Sequence, residues 1–133
     1  MTRQATGTFE VEMQPQGDGD VAEGSSLSRM SLEKRFSGDL EASGKGEMLA
    51  ARADVATSAV YVAIERVSGS LHGRAGSFVL VHKGVMTEEA RHLVIEVAPD
   101  TATGQLKGLT GTLDIRIEDG RHHYDFEYSL PGA

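Results

Sequence analysis

The sequence predicts an all-β fold, an eight-stranded antiparallel up-and-down barrel, on three observations. Apolar residues recur at period two along most of the chain, and no window of helical length carries a clean apolar stripe. Short turn signals separate the alternating runs. Two hairpins have arms whose apolar faces match across the turn. Eight strands of roughly ten residues joined by short turns favour a barrel over a sandwich. Closure also removes the edge strands that invite aggregation. Residues 1–133 read as a single β-barrel domain, because no repeat, linker or low-complexity tract divides them.

Phe9, Val11 and Met13 alternate with Glu10 and Glu12 in a first strand. Pro15 and Gly17-Asp18-Gly19-Asp20 end it, and a mobile loop is expected to run to about Ser26. Met30 and Leu32 alternate in a second strand that turns at Ser37-Gly38-Asp39. A three-residue loop there pairs Phe36 with Leu40, Leu32 with Gly44 and Met30 with Gly46. Glycines opposite large side chains imply close packing or a bend in the third strand.

The fourth and fifth strands form a hairpin over residues 59–86, turning at His72-Gly73 so that Leu71 faces Arg74. Val67 then opposes Phe78, Glu65 opposes Leu80, Ala63 opposes His82 and Tyr61 opposes Gly84. Leu93, Ile95 and Val97 mark a sixth strand, closed by Pro99-Asp100. Asp119-Gly120 is a type I′ turn dipeptide, so the last two strands pair Leu113 with Phe126, Ile115 with Tyr124 and Ile117 with His122. Their reverse face collects Asp114, Arg116, Glu118, His123, Asp125 and Glu127, which makes this sheet wet on one side. Residues 54–58 and 87–92 are the two places left for a short helix.

Twenty acids against thirteen Lys and Arg give a net charge of −7, with no basic run. That balance argues against nucleic acid and anionic membrane surfaces as partners. Cysteine is absent, which removes disulfides, thiol catalysis and Cys-type zinc sites and fits a reducing compartment. Asn is absent too, excluding N-glycosylation. With no signal-peptide core and no apolar stretch of spanning length, a cytoplasmic location is expected.

One face of the 59–86 hairpin carries Tyr61, Ala63, Glu65, Val67, Phe78, Leu80 and His82. A carboxylate and an imidazole are costly to bury on an otherwise apolar face unless they pair. Glu65 and His82, diagonal neighbours across the ladder, are therefore the candidate acid/base pair, or else a structural hydrogen bond that fixes the register. Tyr61 shares the face and offers a hydrogen bond to a carbonyl or enolate. Phe78 and Leu80, with Tyr128 opposite Gly111 on the last strand, complete the expected lumen lining.

The opposite face carries Val60, Val62, Ile64, Val79, Val81 and Val85, interrupted by Arg66 and Lys83. A strand pair apolar on both sides must be covered twice, by a second copy of the chain or by the 15–26 loop, and a two-fold dimer is favoured.

Other motifs fall short. His122 and His123 are adjacent and point to opposite faces of a strand, so no metal is expected. The run from Gly38 to Lys45 lacks the spacing of a phosphate loop and reads as strand. The Gly17–Asp20 cluster lacks the length of a calcium loop. No Gly-x-Ser-x-Gly elbow exists, and nothing beside Ser77 would activate it.

Four stretches together resemble a bacterial family of unknown function. They are Ala5-Thr6-Gly7-Thr8-Phe9; Tyr61-x-Ala63-x-Glu65-x-Val67-x-Gly69; Gly73-Arg74-x-Gly76-Ser77-Phe78-Val79-Leu80-x-His82-x-Gly84; and Thr103-Gly104-x-Leu106-x-Gly108-Leu109-x-Gly111. At fold level that family is grouped with the allene oxide cyclase-like β-barrels. The resemblance spans nearly the whole chain and implies an eight-stranded barrel and often a homodimer, but no established activity. The family pattern matches at Glu65 and His82, and it often has Gln at Val81, in keeping with an outward Val81. Cyclases of the wider fold group close rings inside the barrel, but no motif carries their catalytic residues onto this chain.

The resulting expectation is a lumen that binds a small, largely apolar molecule. Glu65 and His82 would move a proton in a cofactor-free isomerase or cyclase. The rivals are a ligand carrier without turnover, and a filled barrel acting as an interaction module through the Val60–Val85 face.

Overall fold

The computed structural model describes residues 2–132. Period-two alternation folds into nine strands: β1 (Thr2–Pro15), β2 (Asp20–Ala22), β3 (Ser25–Gly38), β4 (Leu40–Ala53), β5 (Ala59–Leu71), β6 (Arg74–Met86), β7 (Arg91–Val97), β8 (Thr110–Glu118) and β9 (Arg121–Ser129). Eight of them close an antiparallel barrel, because β1 pairs with β9 on one side and with β3 on the other. The strands run up and down in sequence order. Among the described residues no helix is long and apolar enough to cross a membrane.

Both hairpins read from matched arms have the expected register: Val67↔Phe78, Glu65↔Leu80 and Ala63↔His82 in one, Leu113↔Phe126 and Ile115↔Tyr124 in the other. The turn between β3 and β4 corrects the expectation. Phe36 pairs with Ala42, Leu32 with Gly46 and Met30 with Met48, two residues beyond the tight-loop register. The ends of the turn are claimed by outer neighbours instead: Ser37 and Gly38 pair with Thr8 and Gly7, while Leu40 and Glu41 pair with Leu71 and Ser70. The Tyr124 hydroxyl fills the gap, accepting from the Leu40 N–H at 2.8 Å and lying 2.9 Å from the Ser37 carbonyl. A shift of two leaves every side chain on its expected face, where a shift of one would invert them all.

Other expectations change as well. The 15–26 segment is not a simple loop, since β2 folds back on the start of β3 with Asp20 facing Leu27. It does not cover the β5 outer face, where Val60, Val62 and Ile64 remain exposed. Neither proposed short helix forms: Arg91 and His92 open β7, and residues 54–58 make a turn closed by the Ser58 N–H on the Val55 carbonyl. The helical turn is a 3₁₀ segment, Gly104–Leu106, in the β7–β8 connection.

That connection seals one end of the barrel. Leu106 and Leu109 pack there with Leu40, Leu71, Phe78, Phe126, Tyr128 and Leu130 in one buried cluster. The opposite end, bounded by the β4–β5, β6–β7 and β8–β9 turns, is not plugged. Nor is the wall uniform: β7 and β8 pair only at Glu96↔Thr112, although β6–β7 pairing runs from Leu80↔Val97 to Met86↔Arg91.

Candidate functional site

Alternation carries Glu65 and His82 into the barrel, where they are 1% and 3% exposed. His82 Nε2 lies 2.7 Å from Glu65 Oε1. The same oxygen accepts from Lys34 Nζ at 2.9 Å, and the Lys34 ammonium lies 5.0 Å from the Phe9 ring centroid. Three ionisable groups from β3, β5 and β6 therefore meet at one buried atom.

Burial alone would push the Glu65 carboxyl upward. The His82 hydrogen bond and the Lys34 charge outweigh that penalty and hold it below the ordinary carboxylate range. An ionised carboxylate only accepts, so His82 Nε2 carries the proton that bridges to it. Among the described residues the other ring nitrogen, Nδ1, has no hydrogen-bond partner. Glu65 Oε2 is buried without one as well.

Two glycines in β4 make room for Glu65, Gly46 for its backbone and Gly44 for its carboxylate. Gly46 sits between Leu32 and Glu65, and a Cβ there would run into the Ile64 carbonyl and the Glu65 backbone. At Gly44, flanked by Lys34 and Val67, a Cβ would stand 2.7 Å from Glu65 Oε2. Of the two glycines read in sequence as close packing, Gly46 admits the backbone of β5 and Gly44 admits a charged group.

A cavity of about 280 Å³ occupies the unplugged end. Phe9, Val11, Leu32, Met48, Ala63, Leu93 and Ile115 give it apolar walls, and Lys34, Tyr61, His82, Arg91 and His122 give it polar points. The volume is at the lower edge of the range for small-molecule sites, roughly 300–1,000 Å³. Burial raises the Tyr61 phenol, with the Arg91 charge opposing and the Glu65 charge assisting, so its hydroxyl is a proton donor at neutral pH. The Tyr61 and His82 ring centroids are 6.5 Å apart.

Of the six residues singled out in sequence, Glu65, His82 and Tyr61 come together at this end. Phe78, Leu80 and Tyr128 do not line the cavity; they belong to the packed cluster. The Tyr128 hydroxyl is engaged with His72 Nδ1, at the turn between β5 and β6. Lys34, Arg91 and His122 were missed. Lys34 had a readable signal, since it falls between Leu32 and Phe36 on the inward parity of β3. Arg91 lay in a segment left open to a short helix, so no inward face was read for it. Among the described residues no group of three or more His, Asp or Glu side chains is placed to hold a metal.

Residues 5–128 match the family described as "Protein of unknown function (DUF3224)". The chain is similar over 98% of both lengths, with 46% identity and a TM-score of 0.93, to the crystal structure of a protein of unknown function from that family in Shewanella oneidensis. No curated protein matches the chain.

Proposed function

The chain belongs to the DUF3224 family, and from the chemistry of the barrel mouth we propose that it binds a small, largely apolar carbonyl compound and moves a proton on it without a cofactor. The observation that carries this reading is the His82 imidazole, fixed by Glu65 through one nitrogen with the other unengaged beside an apolar cavity. Geometry of this kind suits a general base. Nδ1 takes a proton from the carbon next to the carbonyl, and the imidazolium that results is stabilised by the Glu65 carboxylate. Tyr61 donates to the enolate oxygen. In a β,γ-unsaturated substrate, return of the proton to the γ-carbon of the dienolate moves the double bond into conjugation and completes an isomerisation.

The test is deuterium exchange at carbon in a panel of small apolar ketones in D₂O, followed by proton NMR. Exchange should fall about 100-fold or more in His82→Phe. Ketones that bind without exchanging would leave a carrier, and ketones that do not bind would leave an interaction module. The lack of cysteine supports placing this activity in the cytoplasm.

A second element of the proposal is a two-fold dimer through the outer face of β5 and β6. Val60, Val62 and Ile64 are 45%, 50% and 61% exposed there, and Val94 of β7, at 54%, lies on the far side of Lys83. Exposed apolar side chains grouped on one sheet face in this way suit a contact surface.

A further inference from the structure

The cavity's charge is opposite to that of the chain. Acids outnumber Lys and Arg by 20 to 13 overall, yet no Asp or Glu lines the cavity, while Lys34, Arg91, His82 and His122 do. Glu65 stands behind His82, and its bonded oxygen is already shared by Lys34 and His82. Lys34 is thereby compensated. Arg91 is not: among the described residues it has no carboxylate within salt-bridge distance, and its exposed side chain lines the same cavity as Tyr61.

Its position adds to the case. Arg91 opens β7, beside the stretch where β7 and β8 do not pair. Arg91 and Leu93 form one lip of a cleft there, and Ile115 and Ile117 form the other. The cleft adjoins the cavity, and the same four residues line both. A guanidinium at the rim of an otherwise aliphatic slot fits a molecule with an apolar body and one planar anionic end.

We infer that the ligand is an amphipathic monocarboxylate, its apolar body inside the cavity and its carboxylate held by Arg91 at the β7–β8 cleft. The inference rests on the proposed binding role of the cavity and narrows it to one class of molecule. A cation is disfavoured by the uncompensated Arg91. A neutral molecule would leave the Arg91 guanidinium without a ligand group to pair with.

Three probes with one tail separate the possibilities: octanoate, octan-1-ol and octylamine, titrated calorimetrically into the full chain. Octanoate should bind about tenfold more tightly than either of the others. Arg91→Ala should remove that preference while leaving octan-1-ol affinity in place, and Arg91→Glu should turn the preference toward octylamine. Equal affinities for octanoate and octan-1-ol would overturn the inference and leave the cavity reading standing. Failure of all three to bind would overturn both. An octanoate preference that survives Arg91→Glu would overturn the assignment of the head group to Arg91.

Discussion

At Glu65 a single buried oxygen holds an ammonium and an imidazole, so removing any one member strands the others. Breaking a buried ion pair costs about 3–5 kcal/mol. Glu65→Gln and Lys34→Met should each show losses of that order in urea unfolding, and the double variant should lose distinctly less than their sum. Additive losses would mean the two groups do not depend on each other. Acid supplies a second measure. The folded-state value of Glu65 lies below its ordinary value of 4.5, so its contribution is present above that value and is lost as pH falls through the folded one. Stability should therefore decline on acidification below about pH 4.5, with a shallower slope in Glu65→Gln. Glu65 and His82 were legible because polar groups stood out on an apolar strand face. Lys34 was passed over although its parity in β3 placed it inward, because a lysine on a strand is so often a solvated one.

Among the elements, the β3–β4 turn shows where local reasoning stops. Gly38 suggested a tight loop, and its φ of +108° does suit a turn. Yet the register is decided by β1 and β5, which pair with the two ends of the turn, and by a tyrosine more than eighty residues away. Nothing in residues 30–46 announces that tyrosine. Burial drives the Tyr124 phenol up to about 12, so its hydroxyl stays protonated to serve the turn. Tyr124→Phe should cost about 1–3 kcal/mol, because the Leu40 N–H and Ser37 carbonyl lose their partner inside the protein. Gly46→Ala should also destabilise, by about 1–3 kcal/mol, since its new methyl meets backbone. Gly44→Ala meets a side-chain oxygen instead and should disturb the Lys34–Glu65–His82 cluster more than global stability. Thermal unfolding together with His82 ring NMR shifts would separate the two glycine variants. The hairpins, in contrast, were readable because their turn dipeptides and apolar partners agree.

For the whole molecule, barrel closure followed from the count of strands and the brevity of most turns. The division of the interior did not. Which half is plugged depends on Leu106 and Leu109 in a connection without strand periodicity, and that is why Phe78, Leu80 and Tyr128 proved to be packing residues. The outer apolar face bears on assembly. Ile64→Asp should convert the proposed dimer to a monomer in sedimentation or light scattering, and an unchanged mass would exclude that face as the contact.

The sparse pairing of β7 with β8 has a consequence of its own. Amide groups along those two facing margins have no cross-strand partner beyond Glu96↔Thr112, so they should trade protons with solvent sooner than any other stretch of the wall. A cylinder fastened this lightly along one line can part there while the remaining seven joints hold. Unbound chains in that state would offer each other two bare margins, making this the place where crowding in concentrated solution first links molecule to molecule.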